Sequence, residues 1–224
     1  MKLLLAIETT GIHLGLSLFR VDVEKKKGWP IATHFSEKKH RQSEELFPTL
    51  HRLLRQKRLN KKDIRFIAVD VGPGSFTGVR VGVAAARALA QALEASLIGI
   101  SSLAAMAHAG FKKNSHQQAC MVPQLKALEN EIYGAAYVRQ MGRLRELIEP
   151  RWAPEKEFST DLAKVKKNHR SLAFVKITEP PHPRDLAELA LQKILGQEKK
   201  VRFDYNRVEP LYLQPSWAER KPAR

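Results

Sequence analysis

One stretch constrains the fold of this chain more than any other. Residues 69–93 read "VDVGPGSFTGVRVGVAAARALAQAL", which predicts a strand, a glycine-rich turn and a long helix in direct succession. The polar residues of the helical part, Arg80, Arg87, Gln91 and Glu94, fall in one narrow stripe. A surface helix has one apolar stripe, so a helix that is apolar nearly all round requires cover on two sides. The sheet of its own domain is one cover, and the other is either a second helix of this chain or a partner protein.

The turn before this helix has the composition of a phosphate-binding loop. Glycines let the backbone approach a ligand, and a helix N-terminus presents free N–H groups and a positive dipole end. The Walker and Rossmann motifs are not met, because Val79-Arg80 stands in place of Lys-Ser/Thr and the dinucleotide spacing is missed by one residue. A tight turn that packs the helix closely on the sheet explains the same sequence. The candidate phosphate loop consists of Gly72, Gly74, Ser75, Thr77, Gly78 and Arg80.

Apolar periodicity divides the rest of the chain into strands and helices. The runs at 2–8 and 14–21 predict a hairpin, residues 24–30, which end at Pro30, predict a turn, and 31–36 predicts a third strand. From Ser43, which we expect to be a helix N-cap, the period becomes helical as far as about residue 58. Glu44 and Glu45 follow in the first turn, where the helix dipole favours acidic residues. A helix then follows each buried strand, which is typical of α/β layering. A three-stranded meander that leads into helices is also how each half of an actin-like fold begins.

A polar break at 110–118 predicts a division into two parts. We expect an N-terminal subdomain over residues 1–110 and a smaller C-terminal subdomain over residues 111–224. The single cysteine, Cys120, excludes an intrachain disulfide and fits a reducing compartment. No apolar run approaches the ~20 residues of a membrane span. We therefore expect a cytoplasmic protein that does not associate with a membrane.

The charge of the chain is its unusual bulk property. Lys and Arg number 39 against 23 Asp and Glu, a formal net charge of +16. A field of this sign favours polyanions such as RNA, and a general lysine bias that improves solubility is the alternative. The basic residues are dispersed along the sequence and are not interleaved with aromatic residues, as base stacking would need.

No catalytic set is evident in the sequence. The eight histidines form neither H-x-x-x-H nor H-E-x-x-H, and no serine lies in a G-x-S-x-G elbow. We therefore predict no catalytic residue and no metal site. Glu8-Thr9-Thr10 ends the first strand, where an acid can hold Mg²⁺ through water, but a strand-end turn explains these residues equally well.

Four segments together resemble the bacterial TsaB (YeaZ) family. They are "LLAIETT" at 4–10, "HRQSEELFPTLHRLL" at 40–54, "IAVDVGPGSFTGVRVGVAAARALA" at 67–90 and "LIGISSLAAMA" at 97–107. The family takes part in making N6-threonylcarbamoyladenosine at position 37 of tRNA. The resemblance implies an α/β, actin-like (ASKHA, ribonuclease H-like) fold with two subdomains of mixed sheets. It also implies an accessory subunit that is not an enzyme by itself.

The resemblance further implies partners and a contact surface. A TsaD-like transferase subunit would bind this chain, a TsaE-like ATPase would join them, and tRNA would be held indirectly through the complex. The paralogue TsaD carries a metal on H-x-x-x-H, where this chain has Ser102 and Met106. The helix that follows Ser43 and the helix that follows Gly78 would make the contact as docking helices. In the absence of the partner, the same two helices would self-associate into a homodimer. The predicted interface residues are Leu46, Leu50, Leu53, Val79, Val83, Ala86 and Ala90.

Three departures from the family pattern bear on ligands. Glu8-Thr9-Thr10 replaces Asp-Thr-Ser, residues 126–128 replace Asp-Ala-Arg, and Gln214 replaces the arginine of the tail. They argue against nucleotide binding and leave the docking role unaffected, so we predict no cofactor, with weak ATP or ADP binding left open. The alternatives are a stand-alone nucleotide-binding phosphotransferase of the same fold, a degraded peptidase-like paralogue and a simple RNA-binding module.

Overall fold

The first sheet of this computed structural model has five strands, and the structure describes residues 1–114, 116, 118–196 and 207–214. The strands lie in the order β3-β2-β1-β4-β5. The first three form an antiparallel meander, and β4 and β5 run parallel to β1. Their bounds are β1 (Lys2–Glu8), β2 (Gly15–Asp22), β3 (Lys27–Phe35), β4 (Ile64–Asp70) and β5 (Ser96–Ile100).

Two helices cover one face of this sheet. Helix α1 (Gln42–Gln56) joins β3 to β4, and α2 (Phe76–Leu93) joins β4 to β5. Their apolar residues form one buried cluster with the sheet side chains that include Leu3 and Leu5. Side chains of the opposite parity, such as Leu4, face a second cluster on the other side of the sheet, as the two-residue period of a strand requires.

A second, four-stranded sheet follows α3 (Ser102–Lys113). Its strand order is β8-β7-β6-β9, with β9 parallel to β6 and the other neighbours antiparallel. Helix α3 packs against β6 and β7 of this sheet, and α4 packs against β7 and β8. The remaining bounds are β6 (Ala119–Lys126), β7 (Glu131–Gln140), β8 (Arg143–Pro154), α4 (Glu155–Asn168) and β9 (Ala173–Ile177).

The last described helix, α5 (Pro183–Leu195), returns to the first sheet. It packs on β1 and β2 from the face opposite α1 and α2, where Leu186 and Ala190 are fully buried. Mixed sheets layered with helices confirm the predicted α/β, actin-like fold. The predicted division at residue 110 stays a prediction. Helix α3 continues across that position, and α5, which belongs to the second half of the chain, packs on the first sheet. Residues 197–206 and 215–224 of the predicted C-terminal subdomain lie outside the described residues.

Two element boundaries differ from the sequence-based expectation. Strand β3 begins at Lys27 and therefore includes Pro30, which was expected in a turn. An edge strand tolerates proline, and β3 lies at the edge of its sheet. Helix α1 begins at Gln42, so Ser43 is inside the helix and is not its N-cap. The acidic first turn that was predicted there is confirmed.

The packing of α1 on the sheet predicts a sharp contrast between adjacent residues. Leu46 is 1% exposed and Phe47 is 49% exposed. Leu46→Ala should lower the free energy of unfolding by about 2–5 kcal/mol, because it removes buried methyl groups and leaves a cavity. Phe47→Ala should lower it by less than about 1 kcal/mol. Urea denaturation of the two variants checks this, and equal losses would mean that α1 is not packed as described.

Candidate functional site

The candidate site lies where two neighbouring parallel strands end. Ile7 of β1 pairs with Val69 of β4, so the next residues, Glu8 and Asp70, end their strands at the same edge of the sheet. In open α/β sheets, ligands bind outside the carboxyl ends of the strands. The glycine-rich loop also leaves β4 at this edge, which brings the candidate phosphate loop and the Glu8 segment together.

Two carboxyl groups are buried side by side at this edge. Glu8 is 2% exposed and Asp70 is fully buried. The Thr10 hydroxyl connects them, because it lies 2.8 Å from Glu8 Oε1 and 3.3 Å from Asp70 Oδ2. The Ser102 hydroxyl and the Gly72 N–H donate to Asp70 Oδ1 at 2.6 Å and 2.8 Å. The pair is thus held by groups of its own chain.

The surroundings of this pair favour the protonated form. Burial raises the pKa of Asp70 to about 8, and the charge of Glu8 contributes in the same direction, while hydrogen bonds from Ser102, Gly72 and Thr10 oppose the shift. Burial also raises the pKa of Glu8. A proton on Asp70 Oδ2 can be donated to the Thr10 oxygen while the Thr10 hydroxyl donates to Glu8. A general acid or base must reach its substrate, and neither carboxyl reaches the surface.

The glycines of the loop permit a very close approach to the end of β1. A Cβ atom on Gly78 would overlap the carbonyl oxygen of Thr9, and one on Gly82 would overlap the Thr9 hydroxyl. A Cβ on Gly74 would lie 2.7 Å from the Thr10 carbonyl oxygen. The space that these glycines leave open is therefore filled by residues 9 and 10 of the same chain.

Several loop groups are already engaged within the chain. Ser75 N–H donates to the Thr10 carbonyl at 2.7 Å, and the Ser75 hydroxyl caps α2 by accepting from Gly78 N–H. Gly72 N–H is bound to Asp70. Thr77 is exposed at the first turn of α2. These contacts favour the structural interpretation of the loop, and nucleotide binding stays a prediction.

Arg80, the predicted charge of the loop, contacts aromatic rings. Its guanidinium carbon lies 3.8 Å from the centre of the Phe76 ring, and its Nε donates to the Tyr212 hydroxyl at 2.9 Å. Leu211 N–H donates to the Val71 carbonyl, which fixes the tail beside the loop. Phe76 and Tyr212 are both about half exposed. The tail thus completes an exposed cluster of two aromatic rings and one arginine at the start of α2.

The seven predicted interface residues lie in the interior of this chain. All belong to the cluster between α1, α2 and the sheet, and their exposures range from 0% for Ala86 to 7% for Leu53. The second cover for α2 is thus α1, the internal alternative that the sequence left open. The interface prediction itself stays a prediction, but in the isolated chain these seven side chains are core residues: Leu46, Leu50, Leu53, Val79, Val83, Ala86 and Ala90.

The same two helices leave other apolar residues at the surface. Ala84, Ala88 and Ala92 are exposed on α2, Val81 is half-buried beside them, and Phe47 is exposed on α1. We call the residues of this set that lie on α2, together with the cluster of Phe76, Arg80 and Tyr212, the outer face. These alanines lie along the polar stripe of α2, next to the exposed Arg80 and Gln91. The sequence showed that α2 is apolar nearly all round but could not show how much of its apolar surface remains uncovered.

A cluster that sequence reasoning missed joins α3 to α5. His108, Asp185 and Glu188 bring potential ligand atoms within 4.8 Å of one another. The Lys112 ammonium lies 3.0 Å from Asp185 and 2.6 Å from Glu188, so a cation of the chain already balances the carboxylates. Burial alone would raise the pKa of Glu188, but hydrogen bonds from His108, Lys112 and Arg184 lower it to about 2. No short motif reveals this ion-pair network, because its members come from two helices.

The chain is similar to proteins of one family. A family model described as "TsaD: tRNA N6-adenosine threonylcarbamoyltransferase" matches residues 31–158, more than half of the chain. The "tRNA threonylcarbamoyladenosine biosynthesis protein TsaB" of Bacillus subtilis (strain 168) is 32% identical over 145 residues, which are 65% of this chain and 59% of that protein. The protein of the same name in Escherichia coli (strain K12) is 32% identical over 109 residues, 49% of this chain and 46% of that protein.

The chain belongs to the TsaB (YeaZ) family. A solved structure, "YeaZ from Pseudomonas aeruginosa", superimposes with a TM-score of 0.74 at 21% identity and covers 95% of this chain and 100% of that one, so the two share a fold. The matched region spans about 60% of the Bacillus TsaB protein. No helix in the described residues is long and apolar enough to cross a membrane.

Ser102 and Met106, the two residues that stand where the family resemblance led us to look for H-x-x-x-H, have structural roles in this chain. Ser102 is fully buried, and its hydroxyl is bound to Asp70. Met106 packs between α3 and the second sheet. Of the residues that depart from the family pattern, Glu8 belongs to the buried carboxyl pair, and the Gln214 side chain accepts a hydrogen bond from the Tyr133 hydroxyl at 2.9 Å.

The close approach of α2 to the end of β1 predicts that one glycine is essential for stability. Gly78→Ala should lower the free energy of unfolding by more than about 3 kcal/mol, because the new Cβ would overlap the Thr9 backbone. Gly11→Ala is the matched control, since its Cβ would meet only Glu8 Oε2 at 4.0 Å. Thermal and urea denaturation measure both, and a Gly78→Ala protein as stable as wild type would contradict the packing.

The carboxyl pair predicts that stability falls as the pH rises. The native state keeps a proton on Asp70, with a pKa near 8, that the unfolded chain releases above the ordinary value of 3.8. Native stability is therefore lost as the pH rises towards 8, by up to about 1.4 kcal/mol per pH unit for one proton. Asp70→Asn keeps the hydrogen-bonding shape without the titration and should flatten this slope. Denaturation at pH 6 and pH 8 checks it, and parallel slopes for the two proteins would reject a protonated Asp70.

Proposed function

We propose that this chain is a non-catalytic subunit that binds a TsaD-like transferase and so supports N6-threonylcarbamoyladenosine formation in tRNA. The observation that carries the proposal is the outer face, an exposed surface of small apolar residues flanked by aromatic rings. The names of the TsaB relatives support the pathway. A TsaE-like ATPase as a further member, and tRNA held through the complex, complete the proposal and rest on the family alone.

The accessory role is supported by the chemistry of the candidate site. Its two carboxyl groups are buried, and one is bound to Ser102 and Gly72 of the same chain. The loop that resembles a phosphate site is packed against Thr9 and Thr10. A stand-alone phosphotransferase would need an acid within reach of its substrate, and this acid pair is enclosed. ATP turnover by the pure chain would favour that alternative.

The docking role is supported by the form of the outer face. Ala84, Ala88 and Ala92 follow one another at intervals of one helical turn, and alanines let a second helix approach closely. Phe76 and Tyr212 lie at one end of this stripe around Arg80, and aromatic residues with arginine are enriched where interfaces bind most strongly. A partner that presents helices is therefore the occupant that this surface fits. A second copy of the chain would compete for the same surface.

The burial of the predicted anchors decides which substitution tests docking. Glutamate at Ala86 would place a charge in the core, so loss of binding by that variant would report unfolding. Ala88 is exposed on α2, and Ala163 is exposed on α4, away from both ends of that helix. The substitutions Ala88→Glu and Ala163→Glu are therefore matched in chemistry, in helical context and in exposure.

We expect the wild-type chain and the TsaD-like protein of the same organism to form a 1:1 complex. Ala88→Glu should weaken it by at least about 100-fold, because the carboxylate would be buried at the interface without a partner. Ala163→Glu should change the affinity by less than about twofold. Size-exclusion chromatography with light scattering, followed by calorimetric titration, measures both. No complex with the wild-type chain, or equal affinity for Ala88→Glu and wild type, would reject the proposed docking.

A further inference from the structure

The sheet brings together segments that are distant in sequence at the edge opposite the candidate site. Lys2 pairs with Val21, and the neighbouring Leu3 pairs with Ile64 at the start of β4. Asp22 pairs with Lys27, which places the β2–β3 turn at the same edge. The connection from α1 to β4 ends there as well. This edge gathers the start of β1, the β2–β3 turn and the chain that leads into β4.

Basic side chains dominate this edge. Eight exposed cations lie on these segments and a ninth, Arg65, lies near the start of β4. The carboxylates at this edge are Asp22, Glu24 and Asp63 on the same segments and Glu94 on the connection from α2 to β5, which ends there as well. None of the nine forms an ion pair within the part of the chain that the structure describes. We call them the basic edge: Lys2, Lys25, Lys26, Lys27, Lys57, Arg58, Lys61, Lys62 and Arg65.

An exposed aromatic ring lies beside these charges. Trp29 is on β3, two residues after Lys27, and 44% of its surface is exposed. Its cross-strand neighbour is Arg20, which is also exposed. Lysine and arginine bind phosphates, while an exposed ring next to them offers a surface on which an unpaired base can stack. The sequence showed no such interleaving, because the sheet register creates it.

We propose that the basic edge binds the phosphate backbone of RNA and that Trp29 stacks on an unpaired base. The proposal rests on the proposed function only for the identity of the RNA, which would then be tRNA. The charge favours a polyanion, and the adjacent Trp29 favours RNA over an acidic protein surface. Seven residues of β4 separate this edge from the candidate site, a distance of roughly 20 Å.

The first experiment measures binding of an unmodified tRNA transcript by fluorescence anisotropy at 50–300 mM KCl. One variant replaces Lys57, Arg58, Lys61 and Lys62 by Gln. A control with the same loss of charge replaces four exposed cations at the end of α4 and just beyond it by Gln: Lys164, Lys166, Lys167 and Arg170. Circular dichroism confirms that both variants are folded.

The edge variant should bind at least about tenfold more weakly at about 100 mM KCl. The slope of log affinity against log salt concentration should also become shallower by about 3, because each of the four lost phosphate contacts contributes about 0.7–0.9 to its magnitude. The control should stay within about twofold of wild type. Equal weakening in both variants would show attraction by bulk charge alone and would overturn the proposal, as would no binding by wild type at about 100 mM KCl.

Two further measurements identify the partner. Trp29→Ala should weaken binding to single-stranded RNA about tenfold and leave the salt slope unchanged, because stacking releases no counterions. The second measurement is a competition between the labelled RNA and polyglutamate. If polyglutamate displaces the labelled RNA as effectively as unlabelled RNA does, the proposal is overturned in favour of an acidic protein partner.

The edge variant should still bind the TsaD-like protein. If the chain binds RNA but forms no complex with the TsaD-like protein, the proposed docking is rejected and the proposed RNA binding at the basic edge stands.

Discussion

The contact between Thr9 and the first turns of α2 supports most of the structure. The Thr9 hydroxyl donates to the Gly78 carbonyl at 2.8 Å, and Gly82 faces the same hydroxyl without a side chain of its own. This contact places α2 directly against the end of β1. It fills the space beside the loop glycines with residues 9 and 10, encloses the carboxyl pair, and determines which side of α2 faces the core and which faces solvent.

The strands and helices could be predicted from the sequence. Burial on one face gives a strand an apolar residue at every second position and a helix one at every third or fourth position. The boundaries were less accurate. Pro30 suggested a turn, and the structure shows an edge strand that needs no N–H from this residue. Ser43 suggested a cap, but the helix begins one residue earlier, at Gln42.

The candidate site was predictable in outline and not in its contacts. The turn and the acid of residue 8 were recognised separately, but parallel pairing of β1 with β4 is needed to bring Glu8 beside Asp70. In the same way, cations that are dispersed in the sequence become neighbours at the opposite edge of the sheet. The surplus apolar surface of α2 was recognised, but its residues could not be assigned to the inside or the outside without α1. Leu46 and Val83, expected at an interface, are core residues for this reason.

The return of α5 to the first sheet has a consequence for the order in which the protein is synthesised. Leu4 and Phe19 face α5, so one side of the first sheet stays uncovered until the chain has been made beyond residue 195. A nascent chain that has completed all five strands of this sheet therefore still exposes an apolar surface. Translation pauses after β5 would prolong that exposure and increase the demand for a chaperone at the ribosome.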